Sequence, residues 1–230
     1  MPLGIAEELA MKITCHDDTA LTTARRAALA RYRYDVFVGR LGWNLPCEPG
    51  YDQDQFDLPQ AIHLVAEADD EHILGYARLL PTTGDYLLGN LFPELLGGAL
   101  PPSDPTLWEL SRYAASDTRG LSKADAEVAV GKHVLLTAIQ VAARAGACGL
   151  MFCTTVAIER LAMRWGVSIR RLGPPVRNNG QLLVAALIEF TEQTFTALAP
   201  QLAAEADAVS PALLPAVQNL GAMTACAHVN

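Results

Sequence analysis

The stretch Trp108-Glu109-Leu110-Ser111-Arg112-Tyr113 sets an acid and a base three residues apart inside an otherwise apolar and aromatic segment. A proline-rich loop precedes it, so residues 107–115 are predicted to form a buried strand. Residues three apart point to opposite faces of an ideal strand, so Glu109 and Arg112 serve one site only if the strand is bulged or ends between them. The segment alone is equally consistent with a structural ion pair, because a buried charge needs a partner.

Composition limits the class of protein. The 230 residues are 51% hydrophobic and 18% charged, with a mean hydropathy of +0.19, which fits one large domain, or a domain with an appendage, around a sizeable core. Five cysteines without a C-x-x-C pair and five histidines without an H-x-x-x-H pair predict free thiols in a reducing compartment and no metal site. Residues 1–15 lack a secretory pattern, and no purely apolar run approaches the roughly 20 residues of a membrane span. We therefore expect a cytoplasmic protein that does not enter a membrane.

Charge is unevenly distributed along the chain. The net charge of −8 argues against nucleic acid as a partner. Residues 110–200 nevertheless hold 10 Lys and Arg against 6 Asp and Glu. This basic half predicts an anionic protein or ligand approaching that side, with a merely solvated face as the alternative. The candidates for steering such a partner are Lys132, Arg144, Arg170 and Arg171.

The apolar and polar pattern predicts helices and strands in a mixed order. Helices are expected at 19–38, 122–146, 157–165 and after 189, and strands at 63–68, 73–81, 86–91, 107–115, 150–154, 167–172 and 181–189. The order predicts a three-layer α/β/α sandwich with a mixed sheet, and no G-x-G-x-x-G follows a first strand as a doubly wound nucleotide fold requires. Residues 1–200 would form this domain. Residues 201–230 are read as an appendage that carries no site.

Charged and aromatic residues recur in a fixed order over residues 33–112. They are Arg33-x3-Phe37-x5-Trp43, Asp54-x2-Asp57, Arg78 within a strand, and Glu109-x2-Arg112. With Arg171-Leu-Gly-Pro-Pro175 and the Asn179-Gly turn that follow, this set resembles the acyl-homoserine lactone synthase family, the autoinducer synthases of bacterial quorum sensing. The resemblance covers about residues 12–200. It implies a fold like that of the GNAT N-acetyltransferases, whose central strand carries a bulge that would bring Glu109 and Arg112 to one site.

The resemblance also implies an acyltransferase reaction. Its substrates would be S-adenosylmethionine, which is consumed rather than kept as a cofactor, and a fatty acyl thioester on acyl carrier protein. The methionine amine attacks the thioester carbonyl, and the methionine carboxylate then displaces methylthioadenosine to close the lactone. No cofactor and no metal are expected.

Site roles follow from the resemblance and from the charges of these substrates. S-adenosylmethionine presents cations that suit carboxylates, a carboxylate that suits Arg, and an adenine that suits an aromatic face. Glu109 is predicted to be the base that takes the proton of the amine, and Arg78 and Arg112 are predicted to hold the carboxylates. The remaining residues assigned to S-adenosylmethionine are Arg33, Phe37, Trp43, Asp54 and Asp57, and Arg33 is equally well explained as a tie between helix and loop.

Three residues are assigned to the acyl chain, and two other functions stay open. Met151 is predicted to be pocket wall or core, and Thr154 and Thr155 lie where the family is associated with 3-oxo acyl groups. A GNAT-type transferase using acyl-coenzyme A is the alternative enzyme, although residues 118–123 lack the Q/R-x-x-G-x-G/A turn that cradles a diphosphate. A non-catalytic module that binds acyl chains or carrier protein would not require five converging charges.

Overall fold

The computed structural model describes residues 11–178, 180–191 and 194–195. Within these ranges the strands are β1 Met11–Asp17, β2 Ile62–Ala68, β3 Ile73–Pro81, β4 Leu107–Ala115, β5 Gly149–Thr155, β6 Ile169–Arg171, β7 Val176–Asn178 and β8 Gln181–Glu189. The α-helices are α1 Thr23–Arg33, α2 Leu87–Leu91, α3 Ala124–Arg144 and α4 Val156–Arg164. Short 3-10 turns lie at Asp18–Ala20 and Pro93–Leu96. Residues 1–10 and the predicted appendage at 201–230 lie outside the described ranges.

The strands form one mixed sheet in the order β1-β2-β3-β4-β5-β8-β6, with β7 paired to β8. Neighbouring strands are antiparallel except β4 and β5, which run parallel. α3 covers one face of β2, β3, β4 and β5, while α1 and α2 pack on the other face. The predicted three-layer α/β/α sandwich with a mixed sheet is therefore confirmed.

The sheet centre follows from its sequence. β2 and β3 are almost fully buried apolar strands, because helices cover both of their faces. The polar turn between them is closed by Glu71 in a left-handed conformation, with φ of 60°. β4 has the predicted bounds, 107–115. β1 and β7 were not predicted, since β1 mixes polar and apolar residues at the sheet edge and β7 has only three residues.

The predicted helix at 19–38 is divided in the structure. Thr22 caps α1 by accepting a hydrogen bond from the amide of Arg25 at 3.1 Å. After Arg33 the chain continues as a π-helical stretch, Tyr34–Arg40, and Leu41 donates to the carbonyl of Val36 at 2.9 Å. Such wide turns are rare and recur at functional sites.

Two local predictions are wrong. The expected strand at 86–91 is α2, because a short apolar run does not distinguish strand from helix and the first amides of this helix find an acceptor in Glu109. The helix expected from residue 122 begins two residues later, because Ser122 does not cap it. α3 starts at Ala124 after Lys123, which makes no side-chain cap, and the Ser122 hydroxyl donates to Asp117 instead.

The cysteines and the longest helix also bear on the expectations. Cys15, Cys47 and Cys153 are free, but Cys148 is disulfide-bonded, so the expectation of free thiols throughout is wrong. Among the described residues, α3 alone has the length and hydropathy that could cross a membrane. Most of its apolar window is buried, however, which is what the core helix of a folded domain shows. No group of three or more His, Cys, Asp or Glu in the described ranges is placed to hold a metal.

Candidate active site

A bulge in β4 organises the site. Ser111 pairs with Arg78 and Ala114 pairs with Tyr76, so Arg112 and the next residue together face a single residue of β3. Arg112 has φ of 51°, a left-handed backbone that is uncommon outside glycine. The bulge turns the Arg112 side chain to the same face of the sheet as Glu109. The predicted bulge is therefore present.

The sheet opens beside Glu109. β4 and β5 are paired only from Leu107–Gly149 to Glu109–Met151, and beyond that register the two parallel strands diverge. Beyond Glu109 and Met151 the two strands keep their outer partners, β3 and β8, but do not pair with each other, and we call the gap between them the β4–β5 cleft. Glu109 thus lies where the cleft begins.

Three arginines and three aspartates form one ionic network on this face. They are Arg33, Arg78, Arg112, Asp52, Asp54 and Asp57. Arg33 lies 2.7 Å from Asp57 and 3.3 Å from Asp52, and so ties α1 to the loop before β2. The two sets of charges balance one another, which is what allows them to be buried together.

Arg78 and Arg112 together contact all three aspartates. The Nη1 of Arg78 lies 2.6 Å from Asp54 and 2.7 Å from Asp57, while its Nε donates to Ser111 at 3.1 Å. Arg112 forks onto Asp52, with Nε at 2.7 Å and Nη2 at 3.1 Å, and its Nη2 lies 2.9 Å from Asp54. Every guanidinium of the network therefore contacts at least two carboxylates.

The arginines keep the buried carboxylates ionised. Burial alone would raise the pKa of Asp57, but the charges of Arg33 and Arg78 hold it well below its usual range. Burial likewise opposes ionisation of Asp52, and its hydrogen bonds from Arg112 with the charge of Arg33 lower its pKa. The buried carboxylates of Asp52 and Asp57 are therefore ionised across the physiological pH range.

Asp52 was missed by the sequence analysis. It is 1% exposed and contacts two of the three arginines. The available signal was a third carboxylate two residues before Asp54 in the same loop. Phe56 was missed as well: it is buried, and its ring lies 5.8 Å below the Arg78 guanidinium.

An aromatic wall, formed by Phe37 and Trp43, borders the network. The two ring centroids are 4.9 Å apart, and the amide of Trp43 donates to the carbonyl of Phe37 at 2.8 Å. Phe37 is buried and lies 5.5 Å from the Arg112 guanidinium, whereas Trp43 is exposed. The wall presents aromatic surface to solvent directly beside the charges.

Glu109 is held apart from the arginines. Its carboxylate accepts hydrogen bonds from the first amides of α2, Leu87 at 2.8 Å and Leu88 at 2.6 Å, rather than from Arg112. Burial raises the pKa of Glu109 to about 7, although the two amides and the charge of Arg78 favour the carboxylate. A carboxyl group with this pKa exchanges a proton readily near neutrality. Each oxygen retains a lone pair for a further hydrogen bond.

The residues assigned to the acyl chain are divided between the two faces of β5. Met151 is fully buried and pairs with Glu109, so it lies on the Glu109 face. Side chains alternate along a strand, which places Thr155 on that face and Thr154 on the α3 face. The Thr155 hydroxyl also caps α4 by accepting from the amide of Ile158 at 3.4 Å.

Curated proteins of known activity resemble this chain over most of their length. The acyl-homoserine-lactone synthase of Ralstonia solanacearum is 40% identical over 190 residues, which cover 82% of this chain and 93% of that protein. The acyl-homoserine-lactone synthase of Pseudomonas aeruginosa is 44% identical over 168 residues, covering 72% of this chain and 79% of that protein.

Solved structures share the fold. TofI, in a ternary complex with an inhibitor and MTA, superposes with a TM-score of 0.72 at 35% identity, covering 88% of this chain and 99% of TofI. BjaI, a CoA-dependent acyl-homoserine lactone synthase with MTA, gives a TM-score of 0.74 at 22% identity, covering 90% and 98%. A Lactobacillus plantarum structure described as an N-acetyltransferase gives a TM-score of 0.53 at 19% identity, covering 79% and 99%. These last two likenesses concern the fold alone, and they agree with the expected GNAT-like architecture.

The chain also matches a sequence model of a protein family. A family model described as autoinducer synthase matches residues 17–198, which include the ionic network, the aromatic wall and Glu109. The expected family and the expected class of enzyme, an acyltransferase that makes acyl-homoserine lactones, are confirmed. The chain belongs to the autoinducer synthase family.

Proposed function

We propose that this chain makes an N-acyl-homoserine lactone quorum-sensing signal from S-adenosylmethionine and an acyl thioester carried by acyl carrier protein. The observation that carries the proposal is the placement of Glu109, buried and bonded to the first amides of α2, at the mouth of the β4–β5 cleft beside a balanced network of six charges. Its burial raises the pKa towards neutrality, which suits a base. Both substrates are made inside the cell, which is why we propose a cytoplasmic enzyme.

Accessibility within the network indicates which charges meet S-adenosylmethionine. The side chain of Asp54 is 16% exposed, against 5% for Asp57 and 1% for Asp52. Arg112 is likewise the most exposed of the arginines, at 6%. We assign Asp54 to the ammonium or sulfonium of the substrate and Arg112 to its carboxylate. Asp57, Asp52 and Arg33 are more enclosed and support these two.

The aromatic wall suits the nucleoside part of the same substrate. Trp43 and Phe37 offer a face on which an adenine can stack, and the sulfonium can lie against the same aromatic surface. This arrangement would leave the amine directed from Asp54 towards the cleft where Glu109 lies.

Glu109 would act in the first of two steps. It takes a proton from the substrate ammonium, directly or through one water, and the free amine attacks the thioester carbonyl. The C–N bond forms, the C–S bond of the thioester breaks, and the carrier thiol leaves with a proton. In the second step a carboxylate oxygen, oriented by Arg112, attacks the γ-carbon. The C–S bond to the sulfonium then breaks, which releases neutral methylthioadenosine and closes the lactone.

The exposed face of α4 is the surface we assign to the carrier protein. Arg171 forks onto Glu159 at 2.7 Å and Arg170 lies 2.9 Å from Glu189, so two of the four basic residues first considered are already compensated. The other two, Lys132 and Arg144 on α3, are only partly exposed. Two exposed arginines and two exposed apolar residues remain together on α4, namely Arg160, Arg164, Ile158 and Met163. A basic surface of this kind suits acyl carrier protein, which is strongly acidic.

Two carboxylates disfavour coenzyme A as the donor. A diphosphate prefers the bare amides at a helix N-terminus. Next to the start of α3, Asp117 accepts from the Ser122 hydroxyl and the Arg119 amide, and Glu127 accepts from the Asp117 amide. Burial opposes ionisation of Asp117, yet these bonds lower its pKa to about 2. Arg119 and Arg40 compensate these two carboxylates, and the amides of Arg119 and Asp117 are already bonded to them, so those amides are not free for a diphosphate.

The experiment is a donor panel with product analysis. Purified protein is incubated with S-adenosylmethionine and acyl carrier thioesters or acyl-coenzyme A thioesters of several chain lengths, and the products are identified by mass spectrometry. We expect an acyl-homoserine lactone and methylthioadenosine in equal amounts, with carrier thioesters preferred. Lactone formation from coenzyme A thioesters at equal or higher kcat/KM would contradict the donor, and acylation without methylthioadenosine would contradict the reaction.

A further inference from the structure

The outer end of the aromatic wall is fastened to the far side of the domain. The π-helical stretch Tyr34–Arg40 ends three residues before Trp43. The guanidinium of Arg40 forks onto the carboxylate of Glu127, with Nη1 at 2.6 Å and Nη2 at 2.9 Å, and Nη1 also donates to the hydroxyl of Ser116. These contacts join residues that are 87 and 76 positions apart.

Both partners of Arg40 belong to firmly packed elements. Glu127 lies in the first turn of α3 and also accepts from the amide of Asp117 at 3.1 Å. Ser116 directly follows β4 and is buried, and its amide donates to the carbonyl of Leu74 at 2.9 Å. Arg40 therefore connects the wall to α3 and to the end of β4.

The two residues of the aromatic wall depend on this connection to different degrees. Phe37 is 1% exposed and is held by the core around α1. Trp43 is 39% exposed and follows Gly42, which has φ of 68° and therefore a turn between Arg40 and the indole. Trp43 is located by the hydrogen bond from its amide to the carbonyl of Phe37 and by the contact between the two rings. Movement of residue 40 would displace Trp43 while Phe37 stays in place.

We infer that Arg40 is a positioning residue, which through Glu127 and Ser116 holds Trp43 against Phe37 and so determines the affinity for S-adenosylmethionine. The identity of the ligand rests on the proposed function, whereas the clasp of Arg40, Glu127 and Ser116 does not. The side-chain contacts of Arg40 are with Ser116 and Glu127, and not with Glu109 or with β5, which border the cleft. Its effect therefore falls on the first substrate and not on the acyl donor.

Charge and exposure set the size of the effect. The side chain of Arg40 is 54% exposed and that of Glu127 18%, so solvent and salt weaken their attraction. The fork and the additional bond to Ser116 make the contact stronger than a single surface ion pair. We expect Arg40→Gln and Glu127→Gln each to raise the KM and the Kd for S-adenosylmethionine about three- to tenfold.

The test separates positioning from general damage. kcat at saturating substrate and the KM for the acyl donor should stay within about twofold of wild type, and the midpoint of urea unfolding should shift by less than about 0.5 M. The charge swap Arg40→Glu with Glu127→Arg should recover at least half of the lost affinity. The control is Arg25→Gln, which removes the 2.5 Å pair with Glu67 at the other end of α1 and should leave the KM unchanged.

Salt gives a second measurement. Raising NaCl from about 0.05 to 0.5 M shortens the Debye length severalfold and weakens the Arg40 clasp in wild type only. The ratio of variant Kd to wild-type Kd should therefore fall towards one. Binding is measured calorimetrically with S-adenosylmethionine in the absence of donor, so that it does not depend on turnover.

The outcomes are distinct for the two proposals. If wild type makes lactone but Arg40→Gln binds S-adenosylmethionine as wild type does, or if both substrates are affected equally, the inference is overturned and the function stands. A swap that recovers nothing also overturns it. If wild type binds S-adenosylmethionine in an Arg40-dependent way but yields no lactone from any donor, the function fails and the inference holds. No binding at all refutes both.

Discussion

Arg112 reaches Asp52 across sixty residues of chain, with its Nε 2.7 Å from the carboxylate, from a left-handed backbone at φ of 51°. An unstrained extended residue at this position would point to the opposite face of β4. A non-glycine residue in this conformation costs about 1–2 kcal/mol, which the fork onto a buried carboxylate offsets. The bulge and the ion pair therefore stabilise each other.

Removing the charge of Asp52 is expected to destabilise the fold. Asp52→Asn leaves Arg33 and Arg112 with one buried anion fewer between them, and breaking a buried pair costs about 3 kcal/mol. The free energy of unfolding in urea measures this. Asp35→Asn, a charge loss at an exposed site, should change it by less than about 0.5 kcal/mol. Equal effects of the two changes would mean that the network does not support the fold.

Glu109 should impose a pH dependence on acylation. A base works when it is ionised, so kcat/KM for the acyl donor should rise with pH and level off above about 7, the pKa that burial gives Glu109. Glu109→Gln should lower turnover by about 10²- to 10⁴-fold and abolish that limb of the profile. If the inflection near pH 7 persists in the Gln variant, another group is the base.

The aromatic wall should act on one substrate only. Trp43→Ala removes a stacking face and should weaken S-adenosylmethionine binding by roughly tenfold, while the KM for the acyl donor stays within about twofold. Leu41→Ala, at an exposed residue of the same loop, is the matched control and should change neither. Equal losses for both substrates would refute the assignment of the loop.

The arginines of α4 should affect the carrier-bound substrate. Arg160→Glu with Arg164→Glu should raise its KM several-fold at low ionic strength, leave the KM for S-adenosylmethionine unchanged, and lose most of its effect in about 0.3 M salt. Arg170→Glu is the comparison, because Glu189 already compensates Arg170 and the change should stay within about twofold. A larger effect at Arg170 would move the docking surface away from α4.

Thr154 and Thr155 can be separated by stability. Thr155→Val removes the cap of α4 and should lower the free energy of unfolding by about 1 kcal/mol. Thr154→Val removes no cap and should stay within about 0.5 kcal/mol of wild type. A change in the ratio of 3-oxo to unsubstituted lactone in Thr154→Val would then report contact with the acyl chain. Equal stability of the two variants would contradict the capping role.

The sequence predicted correctly those elements whose residue pattern is compatible with only one type of secondary structure. β4 has the expected bounds because charges inside an apolar run are conspicuous, and the β2–β3 hairpin has a clear polar turn. The strand expected at 86–91 was wrong, and the first amides of the helix found there donate to the carboxylate of Glu109, which is distant in the sequence. Local pattern does not reveal an acceptor that another element supplies.

The candidate site shows the same limit. The eight charged and aromatic residues predicted from motif spacing lie together on one face, but Asp52 carried no motif position and emerged only from its contacts. The compensation of Arg170 and Arg171 was invisible for the same reason, because Glu189 and Glu159 lie in other elements. Counting charges along a chain shows an excess of basic residues, but it does not show which of them are already paired with a carboxylate.

The π-helical stretch Tyr34–Arg40 makes the number of residues before Trp43 as important as their identity. Each residue of an α-helix turns the chain by about 100°, so losing one residue here would restore an ordinary turn and rotate the indole away from Phe37 by roughly that angle. We expect substitutions in this stretch, other than at Phe37 and Arg40, to be tolerated more readily than any insertion or deletion. Insertions and deletions among related proteins should therefore occur in other loops and be absent from residue 34 up to Trp43.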